Sequence, residues 1–458
     1  MTMTQSPPLV SLQSPKDVSL EEIETELEQM WYQYGQTEEG PSAMRATTFS
    51  LIIYEPEETQ QLLAALGYYA GPIDGIAGPR TEAAIKAAQK AYDLEVTGKP
   101  NKTLLSQLRS EYQAAKESGE VSKENGTAVL KYSPDINGSG VADAIAASNP
   151  CRIITLCPIV GEDEGVTAQV SAYCPIQKYS QSKLVCCEYI TLRGTSEALE
   201  RIGGMISSLM IAELPKFVWW KAAPEAEYGL FKRLVSDSDS IIIDSSTFSE
   251  PEVNLLSIGK LLTQGVPLAD LNWGRLAPWQ ELTAEAFDPP ERRAVLSEVD
   301  RVTIDYEQGN QCQALMFLGW LASRLKWRPT GYFQEGGDYD IRRVTLTNAD
   351  NRKIEAELAG IPTADWGEIA GDLMSLRLTS TNLEADCCTV LCSETMGCMR
   401  MEAGGGAQSC RIQQVTPLFD QKTEQLLGQQ LQRWGGELLY EESMSVTYEM
   451  LKLMQDKG

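Results

Sequence analysis

Apolar positions along this chain follow two rhythms, one of helical spacing and one of short strand-like runs. Ile23, Leu27, Met30 and Trp31 form a stripe that predicts a helix over residues 20–34. Ser19 stands where a cap belongs, and Glu21 and Glu22 lie at the positive end. The segment TTFSLIIY at 47–54 predicts a buried strand. Before these, residues 1–19 set Pro7, Pro8 and Pro15 in a polar background and are expected to be a disordered arm.

Residues 57–113 predict a small three-helix module. A helix at 59–66 leads into the Gly/Pro-punctuated loop GYYAGPIDGIAGP. A second helix starts near Pro79 with the stripe Ile85, Ala88 and Tyr92, and a third spans 103–113. A polar linker covers 117–137.

Beyond it strands and helices alternate. Strands are predicted at 152–159, 168–174, 184–192, 216–220, 240–244 and 302–306. Helices are predicted from Thr195 or Ser196 to 211, and at 225–235, 253–263 and 311–325. After Arg328 the pattern becomes short strands at 339–346, 353–358, 374–378, 385–391, 396–401 and 409–413, closed by two acidic helices. The expected fold class is therefore α/β: a layered α/β region, then a mainly antiparallel sheet region, plus the three-helix insert. The expected domains are the arm at 1–19, the insert at 57–113, an α/β domain from 20–56 with 138–328, and a C-terminal α+β domain at 329–458.

Composition changes this picture in one respect above all: none of the 458 residues is histidine. The commonest general base and metal ligand is missing, so Ser-His-Asp and Cys-His sites cannot be built within the chain. Lys and Arg number 39 against 64 Asp and Glu, a net charge of -25. That excess opposes nucleic-acid phosphates and anionic membranes as partners. The N-terminal stretch lacks a basic region and a long apolar run, and the apolar runs at 153–160 and 314–322 are too short to span a bilayer. A cytoplasmic protein with no cofactor and no metal is expected, its eleven cysteines in a reducing compartment without a permanent disulfide framework.

Candidate chemistry is sparse. Gly138-Ser139-Gly140 fails the dinucleotide fingerprint, because no strand leads in and Asp143 takes the third glycine position. Asp237, Asp239 and Asp244 bracket the 241–243 strand and are expected to solvate its ends. Trp219, Trp220, Trp273, Arg275 and Trp279 are candidates for partner binding, since Trp and Arg anchor interfaces. Pro278 suggests that 273–279 is an exposed docking loop, and Arg275 is placed to pair with an acidic group or stack on a ring. Cys151, Cys157 and Cys312 read as small buried residues. Cys186-Cys187 and Cys387-Cys388 are vicinal pairs, with Cys392, Cys398 and Cys410 close after the second. No CxxC occurs, so neither zinc-ribbon spacing nor a thiol-oxidoreductase motif is present. A hairpin centred on Gly404 would set Cys398 opposite Cys410, near disulfide reach.

Two resemblances then bear on function. Leu63, Leu66, Gly67, Tyr68, Gly71, Asp74, Gly75, Gly78, Pro79, Thr81, Ala84 and Gln89 resemble a peptidoglycan-binding-like domain, departing from it at Ala88, where an aromatic is usual. This implies either cell-wall binding or a helical module reused for protein contacts. The segments VSLQSPKDVSLEEIETELEQMW, NPCRIITLCP, ELPKFVWW, SDSDSIIIDSS and DLNWGRLAPWQELTAEAFD resemble, in order, the glucose-6-phosphate dehydrogenase assembly protein family, OpcA. A helical insert with many cysteines is similar to the cyanobacterial branch of that family. The resemblance implies a protein that is not an enzyme but an allosteric activator and assembly factor of the glucose-6-phosphate dehydrogenase oligomer. The pathway it implies is the oxidative pentose phosphate pathway. It further implies a thiol switch among Cys387, Cys388, Cys392, Cys398 and Cys410, addressed by thioredoxin. A peptidoglycan-binding protein is the alternative reading.

Overall fold

The computed structural model describes residues 9–35, 42–45, 47–69, 79–118, 145, 149–159, 163–175, 183–248, 250–288, 290–362, 371–382, 388–394, 398–403, 412–417, 423–433 and 435–455. The chain divides into two compact units. One takes Met1–Asn125, Lys131–Ile243 and Thr423–Gly435; the other takes Gly126–Leu130, Asp244–Lys422 and Gly436–Gly458.

The first unit is built on a parallel-rich sheet. Its strands are β1 (Leu9–Val18), β2 (Ser42–Arg45), β3 (Ser50–Tyr54), β4 (Arg152–Pro158), β5 (Thr167–Pro175), β6 (Lys183–Gly194), β7 (Lys216–Trp220) and β8 (Ser240–Ile243). They run in the order β1-β5-β6-β4-β3-β7-β8, with β2 beside β6. β3 is wholly buried, as a central parallel strand covered on both faces must be. Its Tyr54 lies in register with Trp220, and the two rings stack with centroids 3.8 Å apart.

β1 overturns the expectation of a disordered arm, at least over Leu9–Val18: it pairs antiparallel with β5. Its polar sequence suits an edge strand, and Pro15 falls within the register shift between Gln13 and Lys16, where no ladder donor is required. Behind it, Glu22 accepts from the Ser19 hydroxyl and backbone N–H, starting the turn that leads into the helix Ile23–Gly35. The predicted helix to residue 211 is two short ones, Ser196–Arg201 and Gly203–Ser208, divided at Ile202, with a glycine pair opening the second.

Three helices, Glu58–Ala65, Pro79–Ala91 and Lys102–Ser118, close over Leu62, Leu63, Ile85, Ala88, Leu104 and Leu108. Ala88 is fully buried in that core. Beside it Gln89 grips the turn at Gly98, accepting from Thr97 and Gly98 N–H and donating to the Lys99 carbonyl. Gly98 has φ +71°, a conformation that favours glycine.

The second unit holds β9 (Leu268–Asp270) and an eight-stranded sheet. The strands of that sheet are β10 (Arg301–Glu307), β11 (Arg328–Gly336), β12 (Ile341–Thr347), β13 (Lys353–Ile361), β14 (Leu373–Thr379), β15 (Cys388–Glu394), β16 (Cys398–Ala403) and β17 (Ile412–Pro417). Their order is β11-β12-β13-β10-β14-β15-β16-β17, antiparallel except for the β10–β13 pair. The expected boundary at Arg328 is therefore displaced. β10 lies inside this sheet, and the helix Cys312–Leu325 is in the same unit.

Strand alternation is plain in β10, where Val302, Ile304 and Tyr306 are buried and Arg301 is exposed. The helix Cys312–Leu325 is buried from Cys312 to Ala322, and Leu438–Gln455 packs on it. Gly319 permits the approach: a Cβ there would lie 2.6 Å from the Ser443 carbonyl oxygen. The parallel-rich and mostly antiparallel sheets, with their helices, form the α/β architecture that the sequence pattern predicts.

Candidate functional site

Five side chains expected at a partner surface are core residues. Trp219, Trp220, Trp273 and Trp279 are 2–3% exposed, and Arg275 is 7% exposed. In the first unit, Trp220 is held between Tyr54 and Phe231, and Lys221 Nζ sits 5.0 Å from the centre of the Trp219 ring. In the second, Pro278 opens rather than breaks a helix. It sits in the first turn of Ala277–Phe287, where a missing N–H costs nothing. The expected exposed loop is thus two helical segments, Leu271–Gly274 and Ala277–Phe287, and Trp279 lies on the buried side of the latter. Trp273 donates its indole N–H to Glu437 at 2.8 Å and its ring meets Tyr440.

Arg275 organises a buried polar cluster. It binds Asp244 through both terminal nitrogens, at 2.8 and 2.9 Å. Asp244 is therefore a buried partner, not a solvated strand end. Burial pushes its carboxyl up, but Arg275 and Ser246 outweigh this and hold it below the usual range. Neighbouring Asp270 differs: Oδ1 accepts from Ser245 N at 3.0 Å and Asn272 N at 2.9 Å, and buried Oδ2 has no hydrogen-bond partner among the described residues. Burial, reinforced by the charge of Asp244, pushes Asp270 up to about 6.

The cluster spreads through neutral amides. Gln313 donates to Asn272 at 2.9 Å and to Asp372 at 2.7 Å, while Asn310 donates to the carbonyls of Ser245 and Ser246. It thereby ties 244–246, 270–275, 310–313 and Asp372 together. These groups are positioned to fix backbone geometry. Among the described residues, no group of three or more Cys, Asp or Glu is arranged to hold a metal ion.

A second strut in this unit is Glu252, which accepts from Tyr332 at 2.6 Å, Gln334 at 2.5 Å and Arg342 at 2.5 Å. The first unit has a counterpart. Buried Arg152 donates to Glu188 at 2.7 Å, Glu24 at 2.5 Å and the Leu209 carbonyl at 2.8 Å, and Trp31 donates to Glu188. Sequence reading missed both, because their partners lie 36 to 128 residues away from Arg152 and 80 to 90 from Glu252.

The cysteines fall into three sets. Cys174 and Cys186, opposed on β5 and β6, form a disulfide, where the composition predicts no permanent disulfide framework. Cys151, Cys187 and Cys312 are buried thiols outside any disulfide among the described residues, and Cys157 is half-buried. A hydrogen bond between Cys151 and Cys187 pulls the Cys187 thiol down and pushes Cys151 up; burial pushes Cys157 up to about 11. Of the expected switch residues, Cys387 and Cys410 lie outside the described residues. Cys388, Cys392 and Cys398 lie on β15 and β16. The anticipated register is not the one formed: Cys398 is opposite Pro417, where a hairpin centred on Gly404 would have set Cys410. Across β15 and β16, Cys392 faces Arg400 and Cys398 faces Glu394, so the two cysteines hold diagonal register positions.

Comparison with known proteins gives three family matches. Residues 142–260 match the glucose-6-phosphate dehydrogenase subunit N-terminal domain, residues 266–444 its C-terminal domain, and residues 55–108 a peptidoglycan binding domain. The chain is similar to the OxPP cycle protein OpcA of Synechocystis sp., at 61% identity over 99% of this chain and 96% of that one. The proteins of the same name from Nostoc punctiforme and Synechococcus elongatus are 60% and 51% identical, over 98% and 97% of this chain and 96% and 98% of theirs. Among solved structures, a 3-ketoreductase from Actinomadura kijaniata is 12% identical with a TM-score of 0.35, covering 54% of this chain and 78% of that one. That likeness is too distant to bear on function.

Proposed function

Because the chain belongs to the family of glucose-6-phosphate dehydrogenase subunits, we propose that it is a non-catalytic activator and assembly factor of glucose-6-phosphate dehydrogenase. The observation that carries this reading is the pair of subunit-domain matches, 142–260 and 266–444, joined to relatives named for the OxPP cycle over nearly the whole chain. Activation is a population shift: the chain binds an active conformation or oligomer of the dehydrogenase more tightly than the alternative.

Burial of Trp219, Trp220, Trp273, Arg275 and Trp279 gives them a supporting role in this mechanism. They hold the shape of the contact surface; they do not form it. A thiol input acts through Cys387, Cys388, Cys392, Cys398 and Cys410, with thioredoxin as the reductant. The register, which sets Cys398 opposite Pro417, does not favour Cys398 with Cys410 as the pair, and Cys392 and Cys398, diagonal and about 7–8 Å apart in a regular ladder, need a local shift to bond. The test is the kinetics and elution of purified dehydrogenase with and without the chain. Unaltered kinetics together with separate elution would refute the proposal.

A second reading has one observation behind it, the match of residues 55–108 to a peptidoglycan binding domain. Sedimentation with purified peptidoglycan separates the two readings. Retention of the chain on the glycan, with no effect on the dehydrogenase, selects the second.

A further inference from the structure

Cys174 and Cys186 lie under a cover that is itself made of the chain's N-terminal segment. The β5–β6 register that pairs Tyr173 with Cys187 continues to Cys174 and Cys186, which are directly opposed and disulfide-bonded. Both are buried, at 1% and 0% exposed, and packed on them are Leu12 of β1 and Trp31 and Tyr34 of the helix Ile23–Gly35. The cover residues are each only partly buried. Besides this packing, the helix is tied by Trp31 to Glu188 at 2.5 Å and by Glu24 to Arg152 at 2.5 Å. Trp31 thus contacts the disulfide and also bonds a residue of β6 two positions beyond Cys186. Vicinal Cys187 points to the opposite face, against Cys151, as strand alternation requires.

We propose that Cys174–Cys186 is a redox-responsive staple, and that its oxidation state sets how firmly residues 9–35 are seated on the sheet. The reductant is a dithiol. One thiolate of the dithiol attacks Sγ of Cys174 or Cys186, the S–S bond breaks, and a mixed disulfide forms while the released thiolate takes a proton. The second thiolate of the dithiol then displaces the bound cysteine. Two electrons and two protons have passed to Cys174 and Cys186, and the dithiol has become a disulfide. A buried bond cannot be attacked in this way until Leu12, Trp31 and Tyr34 move aside. Seating of the cover and protection of the bond are therefore one equilibrium, and breaking the bond weakens the platform on which the cover rests.

The experiment uses the full chain, purified without reductant and then treated with dithiothreitol as the probe dithiol. Alkylation with peptide mapping reads the two cysteines, and hydrogen exchange reads residues 23–35. The expected result is that Cys174 and Cys186 resist alkylation before treatment and accept it after. Exchange over 23–35 then quickens about tenfold or more. A C174A/C186A variant should exchange fast with or without dithiothreitol. A C392A/C398A variant should keep the full response, which separates this staple from the C-terminal thiols. The wild-type comparison stands alone if the double variant does not fold. Alkylation of both cysteines before reduction would overturn the proposal, as would bond cleavage that leaves exchange over 23–35 unchanged.

Discussion

Arg275 donates Nη1 to one oxygen of the Asp244 carboxylate at 2.8 Å and Nη2 to the other at 2.9 Å, both groups buried. A two-point pair of this kind depends on the planar guanidinium fork. Removing one member leaves a buried charge uncompensated. Arg275→Ala is expected to lower unfolding free energy by about 3–5 kcal/mol in chemical denaturation. Arg275→Lys should recover little of it, since one ammonium cannot span both oxygens. Full stability of Arg275→Ala would show that the pair is not a strut.

Asp270 makes stability of the second unit depend on pH. Its folded pKa, about 6, stands above the ordinary 3.8, so the folded state binds the proton more tightly than the unfolded chain. Stability from this group is complete below about 3.8 and is lost as pH rises through about 6. Asp244 works oppositely: its carboxyl is held low, so its contribution is present above 3.8 and fails only in stronger acid. Asp270→Asn keeps the oxygen that accepts from Ser245 and Asn272. Relative to this variant, wild-type stability should fall by about 1–1.5 kcal/mol between pH 5 and pH 7.5. Denaturation midpoints across that range measure it, and parallel curves for the two proteins would count against the assignment.

Gly319 tests the packing of the last helix. A Cβ at this position meets the Ser443 carbonyl oxygen and the Thr447 hydroxyl, and both belong to the packed helix Leu438–Gln455. Gly319→Ala is expected to cost about 1–3 kcal/mol and to raise hydrogen exchange across 438–455. A variant as stable as wild type, with unchanged exchange, would mean the helices can part without penalty.

Trp279 separates a structural role from a contact role. Trp279→Ala should cost about 3–5 kcal/mol of stability, because a buried ring leaves a cavity. Any weakening of dehydrogenase association should track that loss and recover on cooling or with a stabilising osmolyte. Weak association in a variant of normal stability would return Trp279 to the interface.

The elements readable in the sequence were those whose signal is local. Apolar runs located β3, β4, β7 and β8, and the stripe of Ile23, Leu27 and Met30 located the first helix. β1 was not legible, because an edge strand with Pro15 at a register shift has neither apolar alternation nor a full ladder. The burial of Trp273, Arg275 and Trp279 is not legible for a different reason. Arg275 and Trp273 pair with Asp244 and Glu437, 31 and 164 residues distant, and no local pattern announces such pairing. The staple did leave a signal. Strands predicted on both sides of 176–182 place Cys174 and Cys186 at equal distances from Ser180, so a hairpin centred there opposes them. A turn centred on Gly404 does not reproduce the Cys398 register, because β16 and β17 pair Ala403 with Ile412 and so centre their connection further along the chain.

The most direct measurement is the activity of purified glucose-6-phosphate dehydrogenase titrated with this chain, read beside gel filtration of the mixture. The proposed function requires that activity rise to saturation with added chain and that the two proteins elute together. Flat activity over the titration, with two separate peaks, would contradict it.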